Sequence, residues 1–298
     1  MKLLTYLLVR LLAALYALIP ARRAYGLGRG LGRLLYPLFP KRRRLSVDNI
    51  LRAHITADPQ EADRIARAAF GHLAGHICEA MKIGKFITPE NWHDHFVFEG
   101  PEGAWKTLAE NPNEPVMIVS GHLGTWESAV PIISAFRPMI AVARTMNNKM
   151  VEKFMKKEHF RGNIEIVDKD RGFTPAVIRR WKQQCAALTL VADQHAGRRE
   201  GMAIDFLGRP ASTHTSPARL HLASGAPILV GAFIREGIFK YRMIAVGEPI
   251  RHARSGDREA DTRAILTEIN RRLGELVRRY PEQYLWAHRR WRLDEPRT

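Results

Sequence analysis

The stretch Pro115–Glu127, PVMIVSGHLGTWE, holds the residues whose types and spacing best suit chemistry. His122 is a titratable base near neutral pH, and Glu127 follows it by five positions. On one continuous helix that spacing would set the two side chains about 140° apart. They meet only if His122 occupies a turn and Glu127 the first turns of a helix, and Gly121 and Gly124 make such a turn easy. In that geometry the carboxylate holds the imidazole in one tautomer and stabilises its protonated form. His122 is then a competent general base toward a hydroxyl. The helix N-terminus could also steady developing negative charge. A bare His-x4-Glu is usually a histidine in a turn and a glutamate at a helix start. This one stands apart because a buried-looking strand precedes it and a helical pattern begins near Thr125.

The elements that must position such a pair are legible as alternating runs. Strand-like segments are Phe96–Phe98, Val116–Val119, Ile140–Ala143, Ile164–Val167, Ala187–Ala192, Ile228–Phe233 and Tyr241–Val246. Helical patterns cover Ser46–Ile83, Trp126–Phe136, Met150–Phe160, Thr174–Gln184, Ser216–Ser224 and Asp261–Tyr280. Strands alternating with helices predict an α/β fold, a central mostly parallel or mixed sheet with helices on both faces. In such sheets ligands bind at the carboxyl ends of the strands, which is where His122 falls. No Pro/Ser/Gly-rich linker divides residues 45–298, so they are read as one domain.

Residues 1–44 differ. They carry ten of the chain's 17 net positive charges and no acid, the first carboxylate being Asp48. Nucleic acid and anionic lipid are the usual partners of such an end. Leu3–Ile19 is almost wholly apolar but, as a helix, reaches only roughly 25 Å, short for a bilayer core. Arg10 at its middle would cost about 2.5–3.5 kcal/mol on insertion scales. In the next stretch Leu27, Leu31, Leu34 and Leu35 share one helical face while Arg29 and Arg33 lie on another, and the run ends in Lys41, Arg42, Arg43 and Arg44. An apolar face, an arginine face and a basic cluster describe a helix lying in a membrane interface on anionic lipid. Arg10, Arg29, Arg33, Lys41, Arg42, Arg43 and Arg44 are its expected membrane contacts. The bland alternative is a core helix with a solvated side.

GHLGTWE after a strand resembles the His-x4-Asp/Glu box of the glycerolipid acyltransferase superfamily, and more narrowly the late acyltransferases of lipid A biosynthesis, the lauroyl and myristoyl transferases of Gram-negative envelopes. Four further blocks follow in order. Ala143–Asn148 resembles an arginine–Asn segment, and Arg161-Gly162-Asn163 a second arginine block. Val191-Ala192-Asp193-Gln194, with Phe206-Leu207-Gly208 and Thr213-His214-Thr215, resembles an Asp block and the region after it. Pro281–Trp286 with His288–Trp291 resembles a C-terminal signature.

The resemblance implies a glycerol-3-phosphate acyltransferase-like fold with an N-terminal membrane helix, residues 1–44 anchoring and 45–298 catalytic. It implies O-acyl transfer from an acyl thioester, on acyl carrier protein or CoA, to a hydroxyl of a lipid A-type glycolipid. His122 would be the general base and Glu127 its support. Arg144, Asn147, Arg161, Asp193 and Gln194 would contact substrate, and Arg144 suits a phosphate because guanidinium binds it bidentately. No metal or cofactor is implied beyond the thioester co-substrate. The expected location is the cytoplasmic face of a bacterial inner membrane. The same chemistry on another membrane lipid, or a non-catalytic lipid-binding protein on this scaffold, stays open at this point.

Other signals are weaker. His72 and His76 sit at i, i+4, a spacing that can ligate a metal but is usually structural. The segment RRLGELVRRYPEQYLWAHRRWR has seven arginines among aromatics, which alone would suit nucleic acid. Its mixed charges and Pro281 mark instead the end of a fold packed near headgroups, so nucleic acid is not expected. Two cysteines, Cys78 and Cys185, build no disulfide framework.

Overall fold

The computed structural model describes residues 2–111, 113–143, 147–153, 163–168 and 172–294. Seven strands form the central sheet: β1 (Phe96–Glu99), β2 (Val116–Ser120), β3 (Met139–Ala143), β4 (Ile164–Asp168), β5 (Ala187–Val191), β8 (Ile228–Gly237) and β9 (Lys240–Ala245), in the order β1-β9-β8-β2-β5-β3-β4. All neighbours pair in parallel except β8 with β9. The expected α/β architecture with a mostly parallel sheet is therefore the observed one. A separate antiparallel hairpin, β6 (Gly201–Phe206) and β7 (Arg209–His214), follows β5.

β2 shows why these runs form a parallel sheet. Val116 and Ile118 join one core cluster, Met117 and Val119 the other. A strand buried on both faces reads as a continuous apolar run, which is the parallel-sheet pattern.

The helices are α1 (Lys2–Ala17), α2 (Ala21–Leu35), α3 (Pro40–Arg52), α4 (Pro59–Phe86), α5 (Glu102–Trp105), α6 (Ala129–Ser134), α7 (Pro175–Gln183), α8 (Ser216–Ser224) and α9 (Arg258–Arg279). The helical pattern read as Ser46–Ile83 is two helices. His54 takes a left-handed φ of 51° after α3, and Asp58 caps α4 by accepting from the Gln60 N–H with Pro59 at the first position. The boundary expected at residues 44/45 falls inside α3.

α2 packs along α4 through small residues. Ala24, Gly28 and Gly32 are its buried positions, and a Cβ on Gly28 would lie 2.6 Å from the Ala74 carbonyl oxygen. Gly71 and Gly75 play the same part on α4. Contact this close leaves no room for the leucines, and Leu27, Leu31 and Leu34 all face outward.

Candidate active site

The site follows from strand pairing. β2 and β5 are parallel neighbours, with Ser120 opposite Val191, and the Ala192 N–H donates to the Ser120 carbonyl at 2.9 Å. Two residues beyond that pair on each strand stand His122 and Asp193. The His122 Nδ1 lies 2.7 Å from Asp193 Oδ1, and the His122 backbone N–H donates to Oδ2 at 2.8 Å. Gly121 permits this approach, since a Cβ there would already lie 3.0 Å from Oδ2.

The turn carrying His122 is clamped on several sides. Gly124 has φ +69°, and any Cβ on it would collide with the Phe233 carbonyl, so glycine is required there. Its N–H donates to the Gln283 carbonyl at 2.9 Å, while the Leu285 N–H donates to the His122 carbonyl at 3.0 Å. The Thr125 N–H donates to the Phe233 carbonyl at 2.6 Å. His72 of α4 reaches the Gly124 carbonyl through Nε2 at 2.9 Å. Residues 125–128 complete the turn, and α6 begins only at Ala129, so the helix expected near Thr125 starts later and Glu127 precedes it.

Asp193 is buried. Burial alone would push its carboxyl up. The His122 charge, the two bonds from His122 and the Arg290 guanidinium outweigh that and hold it below the usual carboxylate range. An ionised Asp193 only accepts, so His122 Nδ1 carries the proton and Nε2 presents a lone pair. The Gln194 side-chain nitrogen lies 3.2 Å from that Nε2 and donates to it.

The C-terminal block builds the back of the site. Tyr284 is buried beside Asp193, and burial followed by the Asp193 charge raises its phenol well above the ordinary value. His288 Nε2 accepts from the His195 N–H at 3.1 Å, and burial lowers its pKa to about 4, leaving it neutral. Arg290, also buried, donates to the Thr213 hydroxyl at 2.8 Å and to the Ser212 and Gln194 carbonyls. Trp286 and Trp291 belong to the core. Tyr284, His288 and Arg290 were not singled out individually from the sequence. The only signal was that their block resembled a signature.

Glu127 makes no hydrogen bond to His122 among the described contacts. It lines a cavity of about 530 Å³ together with His122, Trp126 and Gln194. Its side chain is accessible through that cavity, yet protein crowds it closely enough that partial desolvation raises its carboxyl above the usual range, opposed by the His122 charge. The hydrogen-bonded partner of the imidazole is therefore Asp193, where the spacing had pointed to Glu127. The reason is that β5 lies beside β2, a tertiary fact.

The cavity wall is otherwise largely apolar. Ile118, Thr189 and Ala141 are register partners across β2, β5 and β3, and all three line it, as do Ala129, Val130, Phe233 and Met243. Asp168, Glu200, His214, Ser216 and Arg219 are polar members of its lining. Asn147 is exposed and does not line the cavity. Arg144 and Arg161 lie outside the described residues.

Of the basic N-terminal side chains, Arg10, Arg29, Lys41, Arg42, Arg43 and Arg44 are exposed and Arg33 is half-buried. Among the described contacts Arg43 pairs with Asp63 at 2.8 Å, Arg42 donates to the Ala287 carbonyl at 2.8 Å, and Arg10 donates to the Tyr6 hydroxyl at 3.5 Å. Leu3, Leu7, Leu11, Leu15 and Leu18 of α1 and its end, and Leu38 and Phe39 after α2, are exposed too. No single helix among the described residues is long and apolar enough to cross a membrane. Thr5–Ala17 with Ala21–Leu38 meets the length and composition together as a pair bent by 117°. Among the described residues no three of His, Cys, Asp and Glu converge as metal ligands, and both nitrogens of His72 have other partners.

A mostly parallel sheet with an oriented imidazole lining a largely apolar cavity suits an enzyme that takes a proton from a hydroxyl beside an apolar substrate. The family model of bacterial lipid A biosynthesis acyltransferases matches residues 1–293, and the chain belongs to that family. It is 23% identical over 270 residues to the lipid A biosynthesis palmitoleoyltransferase of Escherichia coli strain K12, covering 89% of this chain and 84% of that one. The same figures hold for the lipid A biosynthesis acyltransferase of Shigella flexneri. A crystal structure of the 1-acyl-sn-glycerophosphate acyltransferase of Thermotoga maritima overlaps 83% of this chain and 96% of its own at 12% identity. Its TM-score is 0.35, too low to carry weight. The protein is thus an acyltransferase of lipid A biosynthesis.

Proposed function

We propose that the protein transfers a fatty acyl chain from a thioester, carried by acyl carrier protein or CoA, to a hydroxyl of a lipid A-type glycolipid precursor. The observation that carries this reading is the Nδ1–Asp193 bond, which leaves His122 Nε2 as a lone pair facing the cavity. The acceptor hydroxyl displaces the Gln194 amide from Nε2 and gives its proton to His122. Its oxygen attacks the thioester carbonyl carbon. The tetrahedral intermediate collapses, an ester forms, the C–S bond breaks, and the imidazolium returns the proton to the leaving thiolate. Asp193 holds the tautomer and balances the imidazolium charge. Glu127 supports the same charge from the cavity wall, by field and not by contact.

The acyl chain fits the apolar wall formed by Ile118, Ala141, Val130 and Phe233. Arg219 of the cavity lining, together with Arg144 and Arg161, is a candidate for the phosphates of the donor or the glycolipid. Asn147 is kept as a peripheral contact. Residues 1–44 act as the membrane-seating segment of the acyltransferase body. Outward leucines on α1 and α2 enter the headgroup boundary of the inner membrane on its cytoplasmic face, and Arg10, Arg29, Arg33, Lys41 and Arg44 meet anionic lipid, with Arg42 and Arg43 beside them.

The test is a lipid mass spectrum of cells lacking the protein, restored with it, or restored with His122→Ala. Loss of one fatty acyl mass from lipid A, restored by the wild type alone, is the expected result. Loss of an acyl mass from a different lipid would overturn the acceptor. Full rescue by His122→Ala would overturn the chemistry.

A further inference from the structure

Tyr25 lies on α2, the helix whose other face carries the outward leucines, and its hydroxyl is 3.0 Å from His72 Nδ1. His72 is buried in α4 and its Nε2 meets the Gly124 carbonyl at 2.9 Å. We infer that Tyr25 and His72 are positioning residues for the acyl transfer, tying the inner face of α2 to the turn that presents His122. The inference rests on the reading of His122 as the base.

The contacts have a direction. A carbonyl oxygen only accepts, so Nε2 carries the hydrogen and donates to Gly124. A neutral ring then has a lone pair at Nδ1, which accepts from the Tyr25 hydroxyl. Burial lowers the His72 pKa to about 4, with the Arg235 and Arg29 charges acting in the same sense against the Gly124 bond, so the ring is neutral at physiological pH. A protonated ring would lose the Nδ1 lone pair and break the link to α2.

The tyrosine has little freedom to leave. A Cβ on Gly75 would lie 2.9 Å from its ring, and the Arg235 guanidinium sits 3.4 Å above it. That guanidinium is itself fixed by a buried two-bond pair with Glu79, at 2.8 and 2.9 Å. The turn at the other end is as constrained, because Gly124 already gives its N–H to Gln283 and cannot tolerate a side chain. Among the described contacts, His72 is the side chain from the N-terminal helices that bonds the backbone within two residues of His122. A second line of contact runs beside it: His72 stacks on His76, which meets Trp126 at 4.7 Å, and Trp126 meets the His122 ring at 5.0 Å.

Full-length protein in vesicles of mixed zwitterionic and anionic phospholipid would be assayed with an acyl-CoA and a phosphorylated disaccharide lipid A precursor, following thiol release. Tyr25→Phe keeps the ring in place and deletes one hydrogen bond. Its kcat should fall about three- to tenfold with KM, melting temperature and vesicle binding held near wild type. His72→Leu leaves the Gly124 carbonyl unpaired and should lose about 10–100-fold in kcat. His72→Gln, whose amide can still donate to that carbonyl, should recover most of the loss. Wild-type kcat in both Tyr25→Phe and His72→Leu overturns the inference, as does a His72→Leu loss that only follows the fraction unfolded. His122→Ala separates the failures: if it keeps activity, the reading of the base falls and the inference with it. If it is inactive while Tyr25→Phe and His72→Leu are normal, only the positioning role falls.

Discussion

Two carboxylates face one imidazole, and they come from regions built differently. Asp193 stands two residues past the end of β5, buried behind the site, with His122 on one side and Tyr284 and Arg290 on the other. Glu127 stands in the short turn before α6, accessible from the cavity and outside hydrogen-bonding contact with His122. One would expect the buried carboxylate to be the protonated one. The reverse tendency holds: Asp193 is pulled below its ordinary range and Glu127 is pushed above it. The difference teaches that burial by itself does not assign the role. Two hydrogen bonds from His122, the electrostatic attraction between this carboxylate and the imidazole, and the Arg290 guanidinium more than offset the desolvation of Asp193, whereas Glu127 is partly desolvated and receives only the field of His122. Environments that pull two titratable groups apart in this way are how one site separates an orienting charge from a responsive one.

The largest effect should come from removing the Asp193 charge. Asp193→Asn keeps the shape but favours the other His122 tautomer, placing the proton on Nε2 where the base must be empty. By analogy with other oriented histidines, kcat should drop about 10³–10⁴-fold with KM little changed. Single-turnover thiol release measures it. A loss no larger than that of Glu127→Gln would erase the distinction between the two carboxylates.

A smaller but still large effect belongs to the wall behind Asp193. Arg290→Met removes the donors to Ser212, Gln194 and the Thr213 hydroxyl and leaves them buried. Residues 193–195 then shift relative to His122, and a displacement on the order of 1 Å costs about 10²-fold in rate. Thermal melting should fall as well. Normal kcat in Arg290→Met would mean that the segment after β5 is held without its arginine.

The sheet was legible from sequence because a central strand such as β2, buried on both faces, is apolar throughout, while the part-exposed edge strands β1 and β4 still carry short β-branched or aromatic runs. The β6–β7 hairpin was not legible. Its segments GMAIDF and RPASTH alternate weakly, and Pro210 within β7 speaks against a strand. At the site, Glu127 was legible because it lies five residues from His122, whereas Asp193 as its hydrogen-bonded partner was not, because 71 positions separate them and only the β2–β5 pairing brings them together. The resemblance names Asp193 but not its contact. The i, i+4 spacing of His72 and His76 suggests a metal ligand or a structural pair. The contact that explains His72, the Gly124 carbonyl, is a backbone atom that carries no signal in side-chain identity.

The finest comparison is Glu127→Gln read by both rate and stability. Glu127 acts on the imidazolium only as a charge at a distance, so removing it should lower kcat about tenfold. Stability should move the other way. A carboxyl whose folded pKa is raised above 4.5 binds its proton more tightly folded than unfolded, so the ionised form costs stability at pH above the folded pKa. Glu127→Gln should therefore melt slightly higher than wild type at pH 7. That gain should shrink as pH falls through the folded pKa and vanish below 4.5. Asp193 has the opposite sign: its folded pKa is depressed, so its stabilisation is complete above 3.8 and is lost only as pH falls below that. Melting curves of wild type, Glu127→Gln and Asp193→Asn from pH 8 down to about pH 2 read both slopes. If Glu127→Gln melts lower than wild type at pH 7, Glu127 is held as a paired carboxylate like Asp193, and the contrast between the two regions is wrong.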